Sequence, residues 1–286
     1  MTSHTRRGFL TVAAASGLVV VAGCIGDDDD ETTPTPDEDQ LPQGDIPAYI
    51  EWVPAGLISD EHSFIANMDV HTVMDTFPEE FTDEIDFTEF AEEFGIDVAD
   101  LESFMVIEAD DAMEEGAMVV RGSFDPQDVL EAWDVEDYDE YEDYLILFGF
   151  VAISEDAIIM SESYEAVIDA AYEGTDRVID VRDHWESASR AIETPAFAGY
   201  EEDAEETWEL FAFQMDAGEE DLLDLVGYAF YADADTAEAE LDDFEDEIED
   251  ELEDGEITSV TRIDNVIVVE ASVTAMFFDD NGFGDE

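Results

Sequence analysis

Two kinds of hydrophobic spacing alternate along the chain from residue 87 onward. Segment 87–94 (FTEFAEEF) carries apolar residues at the three- and four-residue spacing of one helix face, and Gly95 follows it as a stop. Later segments alternate apolar and polar residues, as half-buried strands do. The pattern predicts helix, strand, strand, helix, strand, strand over these segments: 87–94, 102–109, 117–124, a helix opened by Asp125 as N-cap and Pro126, 144–148 and the hairpin 151–160.

The same order returns in the second part of the chain. A helical segment at 185–192 precedes the strand-like segments 208–215 and 225–232. A long helix follows near Asp235, which has capping-box spacing to Glu238. A hairpin turned by Asp264-Asn265 ends this second copy. The repeat is one of pattern, not of sequence identity, and a helix from Tyr164, closed by Gly174, links the copies.

This repeated order indicates an α+β fold with a mainly antiparallel sheet, because hairpins join the strands, and with the helices on one face. We expect two related helix-β-β-α-β-β halves, at 46–175 and 176–279, followed by a frayed tail at 280–286. The pattern leaves open whether the two halves share one sheet.

Charge changes the picture more than any motif does. The 286 residues include 83 Asp and Glu, seven Arg and no Lys, which gives a formal net charge of −76. Intrinsic disorder is disfavoured, because 45% of the residues are hydrophobic and the acids are interleaved with them. Such a charge opposes compaction in dilute buffer, but at molar salt the screening length falls to roughly 3 Å. The composition therefore favours a folded protein in brine and disfavours nucleic-acid binding, which needs a basic surface.

The first 45 residues have the features of an export signal followed by a disordered tether. Arg6-Arg7 and the uncharged stretch to Ala22, too short to span a bilayer, predict an export signal over residues 1–23. Cys24 follows the small residues at its end and is the chain's one cysteine. Residues 24–45 then contain nine acids and three prolines and predict a disordered tether.

These features resemble a known class of exported proteins. The arginine pair resembles the twin-arginine (Tat) signal, and Val21-Ala22-Gly23-Cys24 resembles a lipobox. Together with the acidity, they are similar to uncharacterised Tat-exported lipoproteins of halophilic archaea. The resemblance implies a lipid on Cys24 and anchoring on the outer face of the cell membrane, and it implies no known activity.

The sequence offers no catalytic motif. It contains no HExxH, GxSxG, GxGxxG or P-loop pattern, and we expect no metal site and no cofactor. Segment 62–69 (HSFIANMD) alternates like a strand. His62 and His71 flank this predicted strand and could meet in space, but solvated or capping histidines are the expectation. Carboxylate pairs cannot be singled out among 83 acids.

The remaining rare residues also have ordinary explanations. The arginines are expected to form ion pairs within the chain, although a group at 177–190 could receive an anionic ligand. The four tryptophans are expected in the core. The sequence thus predicts a non-enzymatic surface lipoprotein that binds an unknown ligand or protein partner or supports the envelope. The alternative is an anchored extracellular hydrolase that uses paired carboxylates.

Overall fold

The structure, a computed structural model, describes residues 40–59, 61–78, 81–82, 85, 87–109, 112–192, 195–204, 206–218, 222–251 and 256–274. The predicted signal with Arg6 and Arg7, the predicted lipid site Cys24 and the predicted tail at 280–286 lie outside these residues.

One antiparallel sheet of twelve strands forms the centre of the described chain. Its spatial order is β11-β12-β10-β9-β8-β1-β2-β3-β7-β6-β5-β4. In chain order the strands are β1 (His62–Asp69), β2 (Leu101–Ala109), β3 (Ala112–Gly122), β4 (Asp139–Tyr141), β5 (Tyr144–Leu147), β6 (Val151–Ile153), β7 (Ala157–Met160), β8 (Phe197–Asp203), β9 (Leu210–Ala217), β10 (Leu222–Phe230), β11 (Glu256–Ile263) and β12 (Val266–Thr274).

The α+β class and the antiparallel sheet are confirmed, and both halves belong to this one sheet. Each half starts from a central strand, β1 or β8, and runs outward through two further strands. A helix then leads to a group of hairpin strands, the last of which returns beside the third strand of its half. The halves meet where β1 pairs with β8, with Ile65 opposite Tyr200.

Helices cover both faces of the sheet, which corrects the expectation that they would lie on one face. Neighbouring residues such as Val119 and Val120 in β3 are both buried, each in a different hydrophobic core. A sheet that is apolar on both faces requires cover on both. The helices are α1 (Val70–Thr76), α2 (Phe87–Phe94), α3 (Pro126–Ala132) and α7 (Ala234–Glu251) on the first face, and α4 (Tyr164–Glu173), α5 (Val178–Val181) and α6 (Trp185–Ala191) on the second, beside the 3-10 turns Ala48–Trp52 and Ala55–Leu57.

Side-chain caps explain where several helices begin and end. Asp125 accepts a hydrogen bond from the Gln127 backbone N–H at 3.0 Å, so the predicted start of α3 is confirmed. Gly174 ends α4 in the left-handed conformation, also as predicted. The expected cap at Asp235 is wrong, because Asp233 accepts from the Thr236 N–H at 2.8 Å and starts α7 earlier.

No helix among the described residues could cross a bilayer, because none combines the length and the apolar character that this requires.

Candidate functional site

A polar cluster lies at one end of the central strand pair, on the face covered by α1, α2, α3 and α7. His62 of β1 stands opposite Asp203 of β8, and Glu201 lies two residues from Asp203 on the same strand. Since side chains alternate along a strand, the three share one face of the sheet. The antiparallel ladder thus brings together residues 139 positions apart or more in the chain.

The three side chains converge closely. The His62 Nδ1 atom lies 3.9 Å from Glu201 Oε1 and 3.8 Å from Asp203 Oδ2. One donor atom from each residue falls within 4.8 Å of the other two. Glu201 and Asp203 are only 3% and 6% exposed, whereas the side chain of His62 is 22% exposed. This nitrogen and these oxygens could hold a cation.

Burial dominates the electrostatics of the cluster. It raises the pKa of Glu201 well above the ordinary value, and the nearby charges of Asp203 and Glu206 raise it further. Among the described residues, neither His62 Nδ1 nor Glu201 Oε2 has a hydrogen-bond partner. The cluster therefore buries carboxylate charge without a complete set of compensating contacts.

On the opposite face of β8, Glu202 has direct hydrogen-bond donors. Glu202 accepts a hydrogen bond from Arg182 at 3.0 Å and another from the Trp185 indole at 2.5 Å. The Trp185 ring stacks on Tyr200 at 5.0 Å, and the Tyr200 hydroxyl lies 3.1 Å from that of Tyr49. On this face Glu202 therefore has hydrogen-bond donors inside a hydrophobic core.

A second unusual surface is the aromatic ridge, which we define as Trp133, Phe148 and Phe150. Trp133 and Phe148 stack with ring centres 6.0 Å apart, and Phe148 and Phe150 are 6.3 Å apart. Phe148 is 66% exposed and Phe150 44%. Phe148 also has φ 56°, in the left-handed region that bulky residues rarely adopt, and Gly149 follows with φ 81°. The turn between β5 and β6 thus holds a phenylalanine outward in a strained conformation.

The structure separates or resolves the other candidates. His71 is exposed on α1, at the far end of β1 from His62, so the two histidines do not meet. The expected ion pairs are present for four arginines. These pairs are Arg177 with Glu51, Arg182 with Glu202, Arg190 with Glu186 and Arg262 with Glu238.

Two of the rare-residue expectations need correction. Arg121 was expected to pair with an acid, but its guanidinium lies over the Trp52 ring at 5.7 Å. Of the tryptophans, Trp52 and Trp185 are core residues, whereas Trp133 and Trp208 are only partly buried.

Glu201 and Asp203 were missed from sequence. They differ from the other acids because they follow Phe197–Tyr200, a buried strand segment, at the two-residue spacing of one strand face. That signal was present, but the strand β8 itself was not predicted. His62 was noted, and its partners depend on a register that local spacing does not determine.

Comparison with known proteins adds little to this geometry. No known protein family and no curated protein matches the chain. Among solved structures, crystal form IV of TP0453 is similar, with a TM-score of 0.44 and 11% sequence identity, over 78% of this chain and 93% of that one. A likeness of this size carries no functional argument, so the site rests on its own residues.

Proposed function

We propose that the protein is an exported, lipid-anchored surface protein of a halophile with a non-enzymatic binding role. The arginine pair at Arg6-Arg7, the short apolar stretch after it and Cys24 support export and lipid attachment. The acidic, proline-containing segment after Cys24 supports a tether between the membrane and the folded residues. The excess of 83 acids over seven arginines supports work in brine.

The observation that carries the binding role is the aromatic ridge. An exposed phenylalanine at φ 56° costs conformational energy, and at 66% exposure Phe148 regains only a small part of it from burial against Trp133. Exposed aromatic groups of this kind mark interaction surfaces. We take the occupant to be a protein partner with a complementary apolar surface.

Salt favours this mode of recognition. In brine, charge attraction between partners is screened within a few ångströms, at a length of roughly 3 Å at 1 M. Contacts between apolar groups persist, and salts that are excluded from the protein surface strengthen them. An acidic protein in molar salt therefore gains binding energy from aromatic contacts more readily than from charge.

Membrane anchoring is tested by replacing Cys24 with Ser in the native host. We expect the Cys24→Ser protein to appear in the medium or to stall as the unprocessed precursor, while the unaltered protein stays in the membrane fraction. The matched control replaces Arg6 and Arg7 with Lys, which should keep the protein inside the cell if export uses the arginine pair. A Cys24→Ser protein that stayed membrane-bound at the mature mass would refute the anchor.

The ridge is tested by crosslinking on intact cells in molar salt. We expect a crosslinked partner with the unaltered protein, and its loss when Phe148 becomes Gly and Phe150 becomes Ser. Val181→Ser is the control, because Val181 is another exposed apolar residue, at 60%, on α5. Equal crosslinking in all three proteins would exclude the ridge as the binding surface.

The hydrolase alternative is favoured by one observation. Glu201 has a raised pKa and lies on the same strand face as Asp203, and a carboxyl of raised pKa beside a second carboxylate is a combination that acid–base hydrolysis uses. Against it, both carboxylates are buried, which leaves a polymeric substrate little access to them. A glycan hydrolysed by the unaltered protein in molar salt and not by Glu201→Gln would favour this alternative over the binding role.

A further inference from the structure

We propose that His62, Glu201 and Asp203 form a binding site for a divalent transition-metal ion, for which Zn²⁺ is the probe. The donors are one imidazole nitrogen and two carboxylate oxygens, all within 4.8 Å of one another. His, Asp and Glu are the ligands that Zn²⁺ accepts besides cysteine. The site is independent of the proposed lipid anchor and of the ridge.

The geometry is close to what such an ion requires. Ligand atoms about 2.1 Å from a tetrahedral ion are about 3.4 Å apart. The Nδ1–oxygen distances of 3.8 and 3.9 Å therefore need only small side-chain rotations to close around the ion. The backbone already fixes the approach, because His62 pairs with Asp203 and the Ala204 N–H donates to the Glu61 carbonyl at 2.9 Å.

Glu201 supplies a second, independent observation. Its side chain is more than nine-tenths buried, and Oε2 has no hydrogen-bond partner among the described residues. Buried carboxylates are ordinarily paired, hydrogen-bonded or bound to a metal. The arginines of the described residues contact other groups than Glu201, which are Trp52, Glu51, Glu202, Glu186 and Glu238.

The imidazole of His62 favours transition-metal ions over Mg²⁺ and Ca²⁺ at this site. Mg²⁺ and Ca²⁺ prefer oxygen ligands, whereas imidazole suits Zn²⁺ and its transition-metal neighbours. Brine contains hard cations in excess, and exposed acids offer them abundant weak sites. A nitrogen donor between two buried carboxylates gives a transition metal an advantage that those surface sites lack.

The position of the site gives the ion a structural consequence. His62 belongs to the first half of the sheet and both carboxylates belong to the second, so a bound ion joins the halves at their central pair. Binding to the folded state alone stabilises that state. Because His62 is partly exposed, the ion can enter from its side, and three protein ligands leave a coordination position for water.

The test is calorimetric titration of the chelator-treated, full-length protein with ZnCl₂ in molar KCl, with MgCl₂ present to occupy surface carboxylates. We expect one site per chain. Mutation of a residue that only hydrogen-bonds to a metal ligand typically lowers metal affinity by about 10–100-fold. Because His62 would be a ligand itself, His62→Gln should weaken Zn²⁺ binding by about 100-fold or more. His71→Gln is the matched control and should leave it unchanged, since His71 is exposed and lies outside the cluster. Unchanged binding in His62→Gln would refute the site.

A second variant separates metal binding from a shared proton. Glu201→Gln keeps the shape of the side chain and removes one ligand charge, so it should fold without metal and bind Zn²⁺ at least tenfold more weakly. Its thermal midpoint should no longer rise when Zn²⁺ is added, whereas that of the unaltered protein should rise. If the unaltered protein shows no such rise, the buried carboxyls hold a proton and not a metal. Equal binding of Ca²⁺ and Zn²⁺ at this site would refute the metal class.

Discussion

Glu201 and Glu202 are neighbours in β8, yet their charges are compensated in opposite ways. Glu202 faces the core that contains Trp185, where it accepts hydrogen bonds from Arg182 and Trp185. Glu201 faces the other side of the sheet, where burial raises its pKa and the charges of Asp203 and Glu206 raise it further. The basic group beside it is His62. Two adjacent residues of one strand thus differ in that Glu202 is paired with a cation, whereas Glu201 has an oxygen, Oε2, without a hydrogen-bond partner among the described residues.

The difference shows what scarcity of cations does to a folded chain. With seven arginines and no lysine, the chain cannot pair most of its acids internally. Among the acids that the structure describes, only Glu201 and Asp203 are fully buried, so nearly all the others can be screened by salt. An acid removed from water needs compensation by a cation, hydrogen bonds, a proton or a metal ion. Glu202, which is partly buried, has Arg182. For the buried Glu201, the proton and the metal ion are the two possibilities that the experiments above separate.

Removal of salt should have the largest effect, because it acts on all exposed acids together. We expect the fold to be lost as KCl falls from molar toward dilute concentrations, since the screening length grows from roughly 3 Å to 30 Å at 0.01 M. Far-UV circular dichroism along a salt series measures this transition. Glu201→Gln and Glu202→Gln should shift its midpoint in opposite directions, and native dichroism in dilute buffer would refute the halophilic interpretation.

The next effect contrasts the two glutamates directly. Glu202→Gln should destabilise the protein by about 1–3 kcal/mol, because it removes the carboxylate charge that accepts from Arg182 at 3.0 Å and from the Trp185 indole. Glu201→Gln should stabilise the metal-free protein at neutral pH by a similar or smaller amount, because an amide can donate a hydrogen bond to Asp203 without carrying charge. Thermal unfolding in molar KCl measures both. Destabilisation of equal size in both variants would contradict the view that Glu202 is compensated by its neighbours and Glu201 is not.

The pH dependence should separate them further. The unfolded chain releases the Glu201 proton near the ordinary value of 4.5, while the folded chain holds it to higher pH. The folded state therefore binds more protons in this window, and its stability falls as pH rises from 4.5 to the raised pKa. Glu201→Gln should abolish this part of the decline, so its stability advantage should grow with pH and then level off. An advantage that shrank with rising pH would contradict the raised pKa.

The sequence predicted the helices and the hairpins better than the sheet that connects them. The start of helix α3 was predicted from Asp125 and Pro126, and the structure confirms it, with Asp125 as the N-cap and Pro126 at the first helical position. Strand β8 was missed, because FAGYEED ends in acids and does not alternate. The second apolar face was missed as well, because Val119 and Val120 give no sign in isolation that both sides of β3 are covered.

The candidate site was less predictable for a related reason. His62 was visible as a rare residue, but Glu201 and Asp203 were two acids among 83. Their distinction comes from burial and from pairing between β1 and β8, which long-range register creates. Phe148 likewise looks like an ordinary core residue until the turn between β5 and β6 places it outside.

The smallest effect should come from an ion pair at the surface. Arg262 lies 3.6 Å from Glu238 of α7, but Glu238 is 73% exposed and Arg262 also donates to the Asp264 carbonyl at 2.7 Å. In molar salt, Glu238→Gln should change the free energy of unfolding by less than about 0.5 kcal/mol. Thermal unfolding beside Glu202→Gln checks this, because both variants remove one charge from an arginine partner and differ mainly in exposure. If Glu238→Gln cost as much as Glu202→Gln, exposure would not decide which acids of this chain need an arginine, and the contrast within β8 would need another cause.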